Sequence, residues 1–281
     1  MCFAAVLEFP VSNSSPQSAQ TPFDRKTRFK SILGGSAGNL VEWYDWYVYA
    51  AFTLYFAPVF FPEGNETVKL LQAAAVFALG FLMRPIGAWI MGIYADRKGR
   101  KAGLTLSVSL MCIGSLMIAC APSYDTAGML APAILLFARL LQGLSVGGEY
   151  GSSATYLTEM AGKNHRGFFS SFQYVTLISG QLIALCVLII LQHTLSEEAL
   201  HAWGWRVPFL IGAMLAIVVF WIRRGLVETQ SSKQAQEQAK QGGPKSGAIE
   251  LFTKHPKAAF TVIMLTAGGT LAFNTFTTYL Q

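Results

Sequence analysis

Four ionisable side chains interrupt otherwise apolar stretches of this sequence. Glu42 and Asp45 lie in the first stretch, Arg84 in the second and Arg139 in the fourth. If these stretches cross a membrane, each charge costs about 2.5–3.5 kcal/mol on insertion scales, so such residues mark functional sites. A carboxylate there can accept and release a proton, and a guanidinium group can hold an anionic carboxylate through two parallel hydrogen bonds.

Other polar residues accompany these four at helical spacing. Asn39 and Tyr49 share one helical face with Glu42 and Asp45, and Gln142 and Glu149 follow Arg139 at i+3 and i+10. This spacing stacks them along single helix stripes and predicts a polar interior between several helices. Two interpretations stay open for each acid: a proton carrier, or the permanently ionised partner of an arginine that fixes helix packing.

The composition indicates which elements hold these residues. The chain has 281 residues, of which 53% are hydrophobic and 13% charged, and its mean hydropathy is +0.42. A soluble domain carries about 25% charged residues. We therefore expect an all-α polytopic membrane protein, and its lipid bilayer is the first partner that the sequence predicts.

Spanning a bilayer as a helix takes about 20 mainly apolar residues, because backbone hydrogen bonds in lipid must be satisfied internally. Seven stretches meet that length: approximately 32–58, 70–95, 102–122, 128–149, 167–192, 204–222 and 258–281.

Basic residues orient these spans. Outside the apolar stretches, nearly all Lys and Arg residues lie in alternate connections, and Lys69 is the one in the opposite set. Because basic loops stay on the cytoplasmic side, the N-terminus is predicted to be cytoplasmic. We expect four segments: a cytoplasmic tail (1–31), a six-span bundle (32–222), a cytoplasmic linker (223–257) and the first span of a second, incomplete bundle (258–281). Residues 1–22 are expected to be a disordered tail and lack the basic start of a secretory signal.

Several functions are disfavoured by what the sequence lacks. Cys2, Cys112, Cys120 and Cys186 have no CxxC spacing, so no metal site or disulfide framework is indicated. No HExxH motif is present, which argues against an enzyme. The net charge of +6 comes from basic residues in the connections between spans, so we expect no nucleic-acid partner. No cofactor is predicted.

The connection between the second and third spans carries a G-x-x-x-D-R-x-G-R-K pattern from Gly92 to Lys101. It resembles the signature loop of the major facilitator superfamily. Gly99 permits an unusual backbone angle there, and Asp96 is expected to cap the following turn and pair with Arg100. The Tyr156-Leu-Thr-Glu159 stretch resembles the element of this superfamily that pairs with the loop's arginines.

Further segments resemble the metabolite:proton symporter branch of this superfamily: 38–46, 84–88, 139–150 and 203–209. The resemblance covers 29–281 and implies a twelve-span fold in two related six-helix halves, with substrate at their interface. This chain would supply the major facilitator N-terminal six-helix bundle plus a seventh span, and a C-terminal half would be missing. The implied activity is uptake of a small anionic metabolite, α-ketoglutarate or a related dicarboxylate, with a proton across the inner membrane by alternating access.

The resemblance also implies residue roles. Substrate contacts are expected from Arg84, Arg139, Arg206, Tyr49, Gln142 and Gln173. Proton coupling is expected from Glu42 and Asp45. A cytoplasmic gate is expected from Gly92, Asp96, Arg97, Gly99, Arg100, Lys101, Glu149 and Glu159. Arg206 has a competing role as an interfacial anchor beside Trp203 and Trp205.

Three alternatives remain open at this level. The first is a symporter of the same branch with another substrate, such as citrate, shikimate or a compatible solute. The second is a truncated half that transports nothing, and the third is an integral membrane enzyme.

Overall fold

A computed structural model describes residues 25–161, 166–226, 228, 233, 237, 253 and 255–274. Within these ranges the chain is helical, without a strand. The long helices are α1 (Arg25–Phe60), α2 (Glu66–Lys98), α3 (Arg100–Ala119), α5 (Leu130–Ala161), α6 (Arg166–Thr194), α8 (Arg206–Arg224) and α9 (Pro256–Asn274). Two short helices, α4 (Tyr124–Ala127) and α7 (Glu197–Ala199), and a π-helical turn (Leu200–Gly204) lie in the connections.

Local chemistry sets several of these ends. Asn65 caps α2, because its side chain accepts a 2.9 Å hydrogen bond from the Val68 N–H group. Gly99 separates α2 from α3 with φ of 108°, a backbone conformation that favours glycine. Its N–H group donates to the carbonyl of Ala95 at 2.8 Å. Gly99 thus has the unusual backbone angle that the sequence predicted.

Five of the described helices are long and apolar enough to cross a membrane: α2, α3, α5, α6 and α8. They confirm five of the seven predicted spans. Helix α1 is longer than any of them but carries Asn39, Glu42 and Asp45, whose side chains are buried. Its polar groups therefore face the other helices, as a central membrane helix requires. Helix α9 is largely exposed over its described side chains.

The helices approach one another closely where small residues meet. Helix α5 packs along α2 and α3, and α1 packs along α6 and α5. A side chain at Gly143 or Gly147 of α5 would collide with the backbone of α2 at Gly80 and Arg84. Such small-residue seams are typical of membrane helix pairs, and this one brings Arg84 and Arg139 onto neighbouring backbones.

The helix boundaries differ from the predicted segments at three points. Helix α1 begins at Arg25, before the apolar span at 32, while residues 1–24 lie outside the described part of the chain. Helix α8 continues to Arg224, and Arg223, placed by the prediction at the start of a linker, is fully buried. Helix α9 begins at Pro256, two residues before the predicted span, and most of the predicted linker is not described.

Candidate substrate and proton site

An ion pair between Asp45 and Arg139 lies inside the bundle. Arg139 on α5 donates from Nη1 to Oδ2 of Asp45 on α1 at 2.9 Å, and both side chains are only 1% exposed. Burying two charges costs several kcal/mol per ion before their attraction offsets it. The pair is therefore sensitive to any change in protonation at Asp45.

Two neutral side chains complete this network. Ser115 on α3 donates to Oδ1 of Asp45 at 2.6 Å, and Gln142 donates from Nε2 to the Ser115 hydroxyl oxygen at 3.2 Å. The carbonyl oxygen of Gln142 accepts from Nη1 of Arg139. Gln142 was predicted to contact the substrate; it is buried and its amide is bonded to Arg139 and Ser115, so in this structure it positions Arg139.

Aromatic rings form the other side of the site. The guanidinium carbon of Arg139 lies 3.9 Å from the ring centroid of Tyr49 and 4.9 Å from that of Trp46. The guanidinium carbon of Arg84 lies 4.2 Å from the same Trp46 ring and 4.1 Å from that of Phe81. The Trp46 indole therefore contacts both cations, and each contact is a stabilising cation–π interaction.

Several hydrogen-bond donors around this indole have no partner among the described residues. They are Nε and Nη2 of Arg139, Nε of Arg84 and Nε1 of Trp46, and all four atoms are buried. Buried polar groups in proteins are nearly always paired. Because these groups can only donate, they suit a ligand that presents several acceptor oxygens, such as a carboxylate.

Glu42 lies one helical turn before Asp45 on the same buried face of α1. Its Oε2 atom has no hydrogen-bond partner among the described residues. The charges of Arg84, Arg223 and Glu149 all act on its carboxyl group. Asn39, Glu42, Asp45 and Tyr49 thus share one buried face, as their spacing predicted.

A second buried ion pair joins Glu149 on α5 to Arg223 on α8. Both terminal nitrogens of Arg223 donate to the Glu149 carboxylate, and Ser107 on α3 also donates to it. Arg223 further donates to the carbonyl oxygens of Gly34 and Leu104. One guanidinium group therefore ties α1, α3, α5 and α8 together.

The sequence prediction missed Arg223 because it read this residue as the start of the linker. The signal that places it in α8 is Gly225, which directly follows Arg224 and forms the helix C-cap. Glycine just beyond the last periodic residue commonly marks a helix end. Glu149, predicted as a gate residue, therefore pairs with a residue of the same bundle.

At the signature loop, one predicted pair forms and one does not. Arg100 and Glu159 are 3.8 Å apart. Asp96 is exposed, and among the described residues no cation lies within 4 Å of it. The start of α3 has no side-chain cap from Gly99 or Asp96. Instead, Glu228 accepts from the backbone N–H groups of Arg100 at 2.9 Å and Lys101 at 3.2 Å.

The expected capping by Asp96 is therefore wrong. Asp96 belongs to the last turns of α2, so its side chain is not at the start of α3, whereas Glu228 reaches that helix end from beyond α8. The other predicted gate residues of this loop lie as follows. Arg97 is exposed in the last turn of α2, and Lys101 donates from Nζ to the Arg224 carbonyl at 2.7 Å. Gly92 has open space where a side chain would begin.

Three other predicted substrate residues have protein partners. The Tyr49 hydroxyl donates to the carbonyl of Ala73 at 2.9 Å, so only its ring faces Arg139. The Gln173 amide is buried between Asn39 and Ser153, where it joins α6 to α1 and α5. Arg206 donates to the carbonyls of Ala202 and Ala121, each at 3.1 Å, and contacts the Trp205 ring. These contacts suit the anchoring interpretation of Arg206, and the structure groups neither Arg206 nor Gln173 with Arg84 and Arg139.

Known proteins match this chain over most of its length. Residues 32–267 match the family described as sugar (and other) transporter. The α-ketoglutarate permease of Escherichia coli K12 is 54% identical over 96% of this chain, and the match covers 61% of that permease. A citrate-proton symporter of Salmonella typhi is 40% identical over 75% of this chain and 48% of the relative.

A solved structure, the xylose transporter XylE from E. coli in a partially occluded inward open conformation, has the same fold. It superposes with a TM-score of 0.68 at 23% identity, over 78% of this chain and 54% of that one. The chain therefore spans about half to three fifths of the length of these proteins.

Proposed function

The chain belongs to the sugar (and other) transporter family of the major facilitator superfamily, and we propose that it forms the half of a symporter that binds the proton and one carboxylate of the substrate. The family and fold are those of transporters rather than enzymes. The proposed activity is proton-coupled uptake of α-ketoglutarate or a related dicarboxylate, by alternating access together with a second six-helix half.

The anion preference rests on the donors around Trp46. Arg84, Arg139 and Trp46 together present four buried N–H-bearing nitrogens that lack partners among the described residues. A carboxylate satisfies such donors, because each of its oxygens accepts two hydrogen bonds. The similarity to an α-ketoglutarate permease and a citrate-proton symporter supports the same substrate class.

Proton binding and anion binding are coupled through Arg139, because one of its nitrogens binds Asp45 and two others are left to bind the anion. While Asp45 is ionised, it neutralises Arg139 at 2.9 Å. Protonation of Asp45 removes that negative charge and leaves a buried, uncompensated guanidinium group. Leaving one member of such a pair unpaired costs about 3–5 kcal/mol, and a substrate carboxylate on Nε and Nη2 would restore the balance. Proton and anion therefore bind together.

Glu42 provides a second proton site one turn along α1. Because α1 runs from Arg25 towards Phe60, Glu42 lies nearer than Asp45 to the end where the signature loop sits. With the N-terminus in the cytoplasm and the bundle in the inner membrane, a proton leaving Asp45 would pass Glu42 on its way in. The Arg100–Glu159 pair and the Glu228 cap would hold that cytoplasmic end together.

This proposal rests on the Asp45–Arg139 pair, in which two guanidinium nitrogens of Arg139 have no partner among the described residues. The test is uptake of labelled α-ketoglutarate into proteoliposomes under an imposed pH gradient. The protein is assayed alone and co-expressed with the C-terminal six helices of the E. coli permease. We expect accumulation driven by inward proton flow, competed by unlabelled dicarboxylates. Uptake indifferent to the gradient, or competed equally by betaine, would contradict the proposal, and inactivity in both preparations would favour a non-transporting chain.

A further inference from the structure

A cavity of about 540 Å³ opens where the ends of α2, α3 and α8 meet. Its wall includes Tyr94 and Lys98 of α2 and Lys101 and Thr105 of α3. Arg224, the last residue of α8, and Glu228 beyond that helix complete it. It shares no lining residue with the Asp45–Arg139 site. The cavity therefore has no part in the substrate site proposed above.

The charges in this cavity are mainly positive. Lys98 and Arg224 are exposed at its rim. Lys101 donates one hydrogen bond to the Arg224 carbonyl at 2.7 Å and keeps two further N–H groups. Glu228 is the acid in the wall, and both of its oxygens already accept backbone N–H groups at 2.9 and 3.2 Å. Lys98, Lys101 and Arg224 thus face this cavity, while the Glu228 carboxylate is bonded to the backbone at the start of α3.

The position of the cavity in the bundle adds an apolar side. Ala102 and Leu106 of α3 line it, on a helix that is long and apolar enough to span a membrane. Trp221 of α8 is 64% exposed, and its ring centroid lies 5.1 Å from the Arg224 guanidinium carbon. Exposed tryptophan beside a cation is typical of the boundary between the apolar core of a bilayer and its headgroups. The cavity therefore combines cations with an apolar side of α3, as a site at headgroup level requires.

We propose that this cavity binds an anionic phospholipid, with its phosphate held by Lys98 and Arg224 and its acyl chains along the Leu106 face of α3. Basic pockets between membrane helices suit anionic headgroups, and each nearby cation strengthens their binding. A free phosphate ester has the same charge chemistry but cannot use the apolar wall. The inference does not depend on the transported substrate.

The experiment is a titration of the purified 281-residue chain in detergent, followed by native mass spectrometry. The probes are phosphatidylglycerol, phosphatidylcholine and sn-glycerol 3-phosphate. We expect phosphatidylglycerol to bind most tightly. Lys98→Gln or Arg224→Gln should weaken it about fivefold, and the double variant about thirtyfold. Both side chains are exposed, so the variants should elute and unfold like the parent protein without lipid.

A matched control removes two exposed lysines elsewhere, Lys30 and Lys257. The Lys30→Gln/Lys257→Gln variant should bind phosphatidylglycerol as the parent does. Equal weakening by this control would overturn the site, because general charge would then explain binding. Equal affinity for phosphatidylcholine, or for sn-glycerol 3-phosphate, would overturn the assignment to an anionic lipid.

Discussion

Arg139 donates to the Asp45 carboxylate at 2.9 Å from one terminal nitrogen, while its Nε and other terminal nitrogen have no partner among the described residues. The same guanidinium group therefore binds an acid through one nitrogen and has two other buried nitrogens that can donate to an anion. A shared cation makes proton binding and anion binding interdependent, because each event changes the charge that the other meets.

Arg84→Gln should weaken substrate binding more than turnover. The change removes a cation that lies against Trp46, together with the buried Nε donor of Arg84. A hydrogen bond to a charged group contributes about 1.5–3 kcal/mol, so we expect KM for α-ketoglutarate to rise about 10- to 100-fold. The measurement is the concentration dependence of uptake. Lys69→Gln, which removes a cation outside the site, should leave KM unchanged, and an unaltered KM in the Arg84 variant would exclude this arginine from the anion site.

Trp46→Phe tests the indole N–H group separately from the ring. Phenylalanine keeps an aromatic face for both guanidinium groups but removes Nε1, which is buried without a partner among the described residues. If this group donates to the substrate, KM should rise about tenfold. Trp89→Phe is the matched control, because Trp89 is exposed on α2. Equal kinetics for both variants would leave Trp46 with a packing role alone.

Glu42→Gln should alter proton release and not substrate recognition. Its carboxyl group lies one turn from Asp45, with one oxygen unpartnered among the described residues. We expect slower net uptake under a pH gradient, with homologous exchange of labelled for unlabelled substrate preserved. Glu66→Gln, a substitution of an exposed acid, serves as the control. A parental rate of net uptake in the Glu42 variant would contradict the relay position.

The Glu149–Arg223 pair should contribute to stability. Either Glu149→Gln or Arg223→Gln leaves a buried charge without its partner, which costs about 3–5 kcal/mol. We expect each single variant to lower the thermal unfolding temperature in detergent markedly. The Glu149→Gln/Arg223→Gln double variant should lose less than the two single effects combined, because no charge then remains buried. Additive losses would show that the two side chains act independently.

Helix positions and the inward polar stripes could be predicted from the sequence, because apolar length and helical spacing are local properties. Asn39, Glu42, Asp45 and Tyr49 are buried on one face of α1 as their spacing required. The choice of partner could not be predicted. Whether Arg139 pairs with Asp45 or Glu42 depends on how α5 packs on α1. From the sequence alone, either acid was a possible partner of an arginine.

Contacts between distant elements account for the other differences. Glu228 caps α3 from beyond α8, a separation of 128 residues from Arg100, so no local motif indicates it. Arg206 and Gln173 are of types common in binding sites, but their side chains bond to protein groups instead. Arg206 donates to two backbone carbonyls, and Gln173 donates to the Asn39 amide. The cavity beside Lys98 and Arg224 also depends on the meeting of three helix ends.

Asp45→Asn tests most directly whether Asp45 links the proton to the anion through Arg139. The variant is co-expressed with the C-terminal six helices of the E. coli permease and reconstituted. The parent protein and Asp125→Asn, in which an exposed acid is replaced, are prepared in the same way. Accumulation of labelled α-ketoglutarate is measured under an imposed pH gradient, and homologous exchange is measured without one. We predict that Asp45→Asn loses gradient-driven accumulation while keeping exchange, and that Asp125→Asn matches the parent. Gradient-driven accumulation that persists in Asp45→Asn with unchanged pH dependence would show that Asp45 does not couple the proton to the anion.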